Sequence, residues 1–203
     1  MALRPPFFVA MNEELKNRVR EIAEPLVEQS GLEIWGLQME GNPPKNVTLF
    51  VEKPAAGENG EISATIDQCE DISRKLGLAL DVEDCMPGPW VLEVSSPGFE
   101  RRFFNLAQMR NYIGDMVEAQ LVHAIPVPGQ NQKRSLWKGR LLEVGDNYFV
   151  IKPCQISQDG LELPENLAPV KIDWENCRRV KRVYVFQPPQ RPGKGQSRKQ
   201  KKS

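Results

Sequence analysis

The hydrophobic period of this chain changes at the Ser96-Pro97-Gly98 turn, and that change constrains the fold more than any other feature. Before the turn, apolar residues recur in helical and strand periods by turns. After it, beyond one short helical stretch, they recur at the period of two that half-buried strands require. Such a chain divides into a mixed α+β unit followed by a β-rich one. With 203 residues, 40% of them hydrophobic, it can fill two small cores.

In the first unit, Asn12-Glu13-Glu14 reads as a helix start, a cap residue followed by acids in the first turn. Leu15, Val19, Ile22 and Leu26 follow at helical spacing, and Gly31 ends the helix in a left-handed cap. Pro25 lies inside and is expected to kink the helix or remove a hydrogen bond. Trp35, Leu37 and Met39 then alternate, Gly41-Asn42-Pro43-Pro44 breaks the pattern, and Val47, Leu49 and Val51 resume it, which predicts two paired strands. Thr65-Ile66-Asp67-Gln68 matches a capping box ahead of the stripe Ile66, Cys69, Ile72 and Leu76. A strand from Trp90 to Val94 completes an α-β-β-α-β order. The expectation is a three-stranded sheet with both helices on one face.

In the second unit, Asn105 caps a short helix bearing Leu106, Met109 and Tyr112. Strands are predicted at 116–122, 136–144, 148–152, 170–173 and 183–186, with Gly145-Asp146-Asn147 as a turn between two of them. Five short strands in this span predict a small open barrel. Residues 125–134 read as a mobile Pro- and Gly-bearing loop. The whole divides into a flexible lead-in (1–10), an N-terminal α+β domain (11–98), a joint (99–104), a C-terminal barrel domain (105–186) and a disordered basic tail (187–203). Each domain has its own apolar pattern, so the two are expected to fold separately.

The formal net charge of +0 conceals an asymmetry. Residues 1–98 carry 17 acids and 8 bases, residues 99–186 carry 10 and 13, and the tail carries no acid and 6 bases: Arg191, Lys194, Arg198, Lys199, Lys201 and Lys202. The acidic front suits a basic partner or only water, and the tail suits a polyanion without sequence preference.

Catalysis finds no constellation. His123 is the one histidine and falls in a strand, so a His-based triad or a two-His metal site has no second member. Ser95 and Ser96 lack the glycine-flanked elbow that exposes a nucleophile. Gly193-Lys194-Gly195-Gln196-Ser197 lacks the spacing and preceding strand of a phosphate loop. Asp81, Glu83 and Asp84 read as a solvated acidic turn, not a cation site. Cys69, Cys85, Cys154 and Cys177 have no metal-type spacing and read as free thiols of a reducing cytoplasm. No apolar run is long enough to span a bilayer. No catalytic residue, metal or cofactor is expected.

For RNA, Gly57-Glu58-Asn59-Gly60 matches a G-x-x-G loop in letters but carries an acid where a phosphate clamp wants bases. Better candidates are Arg101-Arg102 after the turn, and Arg178-Arg179 and Lys181-Arg182 around Val180. Such runs are either solvated faces or phosphate contacts, and here they gather in one half of the molecule.

The stretch Leu92-Glu93-Val94-Ser95-Ser96-Pro97-Gly98-Phe99-Glu100-Arg101 resembles the signature of the RimP family, an L-E-V-S-S-P-G strand followed by a hydrophobic residue, an acid and an arginine. Similar segments occur in order at Pro25-Leu26-Val27 with Gly31-Leu32-Glu33, at Asp67-Gln68-Cys69-Glu70-Asp71-Ile72-Ser73, at Leu80-Asp81-Val82-Glu83-Asp84, and at Trp137-Lys138-Gly139 with the closing 170–183 region. The resemblance covers 11–186. It implies an SH3-like or Sm-like barrel as the second domain and a non-enzymatic bacterial factor that binds the free small (30S) ribosomal subunit during its maturation. The family commonly has proline after the signature arginine, where this chain has Arg102; the 125–134 loop and the tail are additions to the usual pattern.

Two readings of the signature stand together. Ser95 and Ser96 offer hydroxyls where a strand ends, Gly98 permits a positive φ, and Arg101 supplies a cation, an arrangement suited to phosphate. The same residues suit an interdomain joint, with Arg101 paired to an acid of the other domain. The candidate contacts are thus Ser95, Ser96, Gly98, Arg101, Arg102, Arg178, Arg179, Lys181 and Arg182, with the tail bases as nonspecific RNA contacts. The partners expected are the free small subunit, a basic small-subunit protein for the acidic domain, and rRNA for the second domain and tail. A monomer is expected, since no heptad repeat or long exposed apolar stripe occurs. The competing function is an Sm-like RNA chaperone not dedicated to the ribosome.

Overall fold

A computed structural model describes residues 6–41, 44–54, 63–86, 88–157 and 162–184. Helix α1 spans Pro6–Gln29 and so begins six residues before Asn12, within the expected lead-in. Proline is suited to a first helical position, because its missing N–H would have no partner there. The helix runs through Pro25, which sits on the exposed side, and it ends where Gly31 takes φ +70°. Strands β1 (Glu33–Gly41) and β2 (Pro44–Glu52) pair antiparallel, and β3 (Val91–Ser95) joins β2 in parallel through helix α2 (Ile66–Glu83).

Thr65 caps α2 through a reciprocal box with Gln68. Val19, Ala23 and Val27 of α1 and Ile72, Leu76 and Leu80 of α2 meet Leu37, Val47, Leu49 and Val51 in one buried cluster. Both helices therefore cover the same face of the sheet, as expected.

The β-rich part holds strands β4 (Arg102–Phe103), β5 (Met116–Pro126), β6 (Lys133–Val144), β7 (Tyr148–Ile156), β8 (Glu162–Pro164), β9 (Val170–Asp173) and β10 (Cys177–Arg182), after a short helix α3 (Leu106–Met109) capped by Asn105. Its pairings run β4-β10-β5-β6-β7-β8, with β9 beside β7. This is an open path, not a closed barrel. The last strand of the described residues lies at Cys177–Arg182, where Val180 enters the core. Val183 and Tyr184 follow it outside any strand, and residues 185–186 of the expected strand lie outside the described residues. Residues 125–134 are not a free loop. Ile125 pairs with Arg134 and Pro126 with Lys133, and Val127 is buried at the tip. Arg134 is further held by Glu165 at 2.9 Å and lies over the Trp137 ring.

The two parts are not independent in packing. Trp35 of β1 belongs to the buried cluster of the second part, with Phe103, Met109, Val117 and Trp137, and Phe50 packs against that cluster too. The helix-free face of the first sheet is thus covered by the second domain. Gly36 makes this possible, since a Cβ there would run into the Phe104 ring.

Candidate nucleic-acid interface

Arg101 and Arg102 are adjacent in sequence and have opposite fates. Arg101 is 4% exposed and pairs with the buried Glu52 at 3.0 Å. It also donates to the Tyr112 hydroxyl, and its guanidinium lies 4.9 Å from the centre of the Trp35 ring. Burial pushes the Glu52 carboxyl above the ordinary glutamate range, against the pull of Arg101. Burial also raises the Tyr112 phenol. This cluster is an interdomain joint. Trp35 completes it by donating from Nε1 to the Arg102 carbonyl at 2.7 Å, while its own carbonyl accepts from Gln108. The reading of Arg101 as a phosphate-facing cation does not fit this enclosure.

Arg102 points the other way, into an open groove of about 440 Å³ lined by Gln38, Glu40, Glu100, Arg102, Gln120, Arg178, Arg179 and Lys181. Its guanidinium donates to Gln38 at 2.7 Å and lies over the Phe104 ring. Desolvation, with help from the nearby Arg179 charge, holds its pKa below the usual arginine value. An anion entering the groove would relieve that repulsion.

Strand β10 supplies the rest. A bulge between Cys177 and Arg179 inserts Arg178 without a partner residue, so Arg178 and Arg179 are both exposed, on either side of the normal alternation. Arg178 has no ion-pair partner among the described residues. Arg179 reaches Glu118 only at 3.9 Å, and Lys181 pairs with Glu100 at 2.8 Å. Each pair has at least one member open to solvent, Arg179 in the first and Glu100 in the second, so neither holds its cation tightly against a competing anion.

The structure brings Arg102, Arg178, Arg179 and Lys181 together and, among the described residues, leaves Ser95, Ser96, Gly98, Arg101 and Arg182 out of the groove. Arg182 turns to Asp115 at 2.7 Å and lies over the Tyr112 ring, on the joint side. Ser95 and Ser96 are half-buried, and the Ser95 hydroxyl donates to the Ser96 carbonyl. Gly98 is exposed at φ +66°, and its carbonyl accepts from Arg101. The tail bases Arg191, Lys194, Arg198, Lys199, Lys201 and Lys202, and the motifs 57–60 and 193–197, lie outside the described residues. Gln38, Glu40 and Gln120 were missed, because polar residues on strands give no signal until pairing shows which face they share.

Other chemistry finds little support. Among the described residues, no group of three His, Cys, Asp or Glu side chains is placed to hold a metal ion. His123 is exposed, and its backbone, not its ring, is engaged by Asn176. All four cysteines are free, and burial pushes the Cys177 thiol up to about 12. No described helix is long and apolar enough to cross a membrane.

Fold and site together define a class: a two-domain α+β protein with a shared joint and a basic groove lined from both domains. Residues 22–100 match the RimP N-terminal domain. The chain is 38% identical to the ribosome maturation factor RimP of Desulfovibrio desulfuricans, over 89% of this chain and 84% of that protein. It is 36% identical to that of Nitratidesulfovibrio vulgaris, over 84% and 91%, and 34% identical to that of Lawsonia intracellularis, over 86% and 90%. The chain belongs to the RimP family.

Proposed function

We propose that this protein serves ribosome maturation by binding the free small subunit in the cytoplasm, as a binding factor and not as an enzyme. Family membership supports the ribosomal role. The observation that carries the mode of action is the groove, where four cations from two strands converge on one open surface. That surface faces rRNA phosphates. The acids of the first domain instead suit a basic small-subunit protein: Glu24 and Glu28 of α1 and Glu70 and Asp81 of α2 are all exposed. Complementary charge of this kind speeds encounter and fixes orientation.

Sedimentation of a cell lysate tests the reading. The protein is expected with free small subunits and absent from translating ribosomes. Distribution over small RNAs instead would favour the Sm-like chaperone. For the acidic face, Glu24→Lys/Glu28→Lys in the full chain is expected to weaken binding to purified basic small-subunit proteins while leaving naked-rRNA binding equal or stronger. Unchanged protein binding would refute that contact.

A further inference from the structure

Beside the groove stand two exposed aromatic rings that neither core uses. Phe99 is 72% exposed and Tyr184 is 48% exposed, with ring centroids 5.2 Å apart at an interplanar angle of 42°. Large rings left in water at adjacent positions ask for an occupant. The groove adjoins them through the chain itself. Glu100 follows Phe99 and pairs with Lys181, while the Arg182 amide donates to the Arg101 carbonyl, which holds the 98–101 turn against the end of β10.

We infer that Phe99 and Tyr184 form a stacking platform for unpaired bases, and that the adjoining groove takes the phosphates of the same single strand on Arg102, Arg178, Arg179 and Lys181. The ligand class is single-stranded RNA. A duplex keeps its bases stacked on each other and offers only its backbone to such a surface, whereas an unpaired base has a free π face. Four cations against two acids in the groove, with two rings beside it, match the pairing of electrostatic groove and aromatic platform that binds single strands with little sequence preference. The inference rests on the proposed rRNA contact and narrows it to unpaired segments.

The test titrates the full-length protein into a fluorescein-labelled single-stranded RNA of mixed sequence and into the same strand annealed to its complement. Single-strand binding is expected to be tighter. Phe99→Ala/Tyr184→Ala is expected to weaken it about ten-fold or more, with the salt slope unchanged. Arg178→Glu/Arg179→Glu is expected to reduce that slope. Phe99→Trp is expected to retain or strengthen binding, which separates stacking from loss of fold. Because both rings are exposed, the melting temperature of the alanine variant is expected to stay that of the parent. Equal binding of duplex and single strand, wild-type affinity in the alanine variant, or no oligonucleotide binding would each overturn the inference. These outcomes are independent of sedimentation: a protein that travels with free small subunits but fails here loses only the stacking platform.

Discussion

Arg101 and Glu52 form an ion pair with both partners under 10% exposed, enclosed by Trp35 and Tyr112. Removing one member of such a pair leaves a buried uncompensated charge and costs about 3–5 kcal/mol. Arg101→Met is therefore expected to lower urea stability by that order, and Arg101→Met/Glu52→Gln to recover part of it. Subunit affinity of the fraction that remains folded should change little, whereas Arg102→Glu, on the groove, should weaken affinity with little loss of stability. The burial of Glu52, which outweighs the pull of Arg101, also predicts a pH dependence. Glu52 has its folded-state pKa raised, so the native state holds that proton more tightly than the unfolded chain. Its contribution is complete below the unfolded value and is lost as pH rises through the folded one. Glu52→Gln is expected to flatten this part of the stability profile, read from melts across the acidic range.

At the scale of elements, glycines decide how closely strands and domains approach. Gly36 leaves room for the Phe104 ring between β1 and the second domain. Gly36→Ala forces that ring to move, with an expected cost of about 1–3 kcal/mol. Phe104→Leu in the same chain should relieve part of it, and a double-mutant cycle measured by urea unfolding would show the coupling. Gly139 is less forgiving, because a Cβ there meets the Lys152 backbone carbonyl, which cannot rotate away. The α2 cap is more ordinary: Thr65→Ala should cost about 1 kcal/mol by loss of the box with Gln68.

For the whole molecule, the shared joint changes how the chain should unfold. Two separate apolar patterns suggested two separate melts, but Trp35 and Phe50 lie against the second core. The full chain is expected to melt in one cooperative transition, and a fragment of residues 1–98 to be less stable than the same residues in the intact protein. Two resolved calorimetric transitions would show that the joint contributes little. The tail acts at this scale too. Its 6 bases can displace at most about six counterions, each worth roughly −0.7 in the salt slope on single strands. Deleting 187–203 is expected to reduce the salt dependence of subunit binding and leave the melting temperature unchanged.

By itself the sequence determined the α-β-β-α-β order of the first domain and the β-rich character of the second, but not the short strands β4 and β8 or the place of β10. What it determined follows from local rules: the Thr65 box, the left-handed Gly31, and the alternation Val47–Val51 each specify a short stretch of backbone without reference to distant residues. The alternation Trp35–Met39, by contrast, holds only from Leu37 onward, because the register shifts between Ile34 and Gly36. It also determined that bases gather after Gly98. The tertiary structure alone decided which of those bases share a surface. Arg101 and Arg102 have the same side chain, yet Arg101, just before β4, closes on Glu52, while Arg102, the first residue of β4, opens on the groove. The bulge before Arg179 exposes Arg178 beside it, while the regular alternation that follows sends Arg179 and Lys181 to the groove and Arg182 to Asp115. Whether Trp35 belonged to one core or to the other was equally closed to the sequence. Alternation announces one buried face and one solvated face, and it put Trp35 beside Leu37; the register shift between Ile34 and Gly36 turns Trp35 to the opposite face, where the second domain covers it.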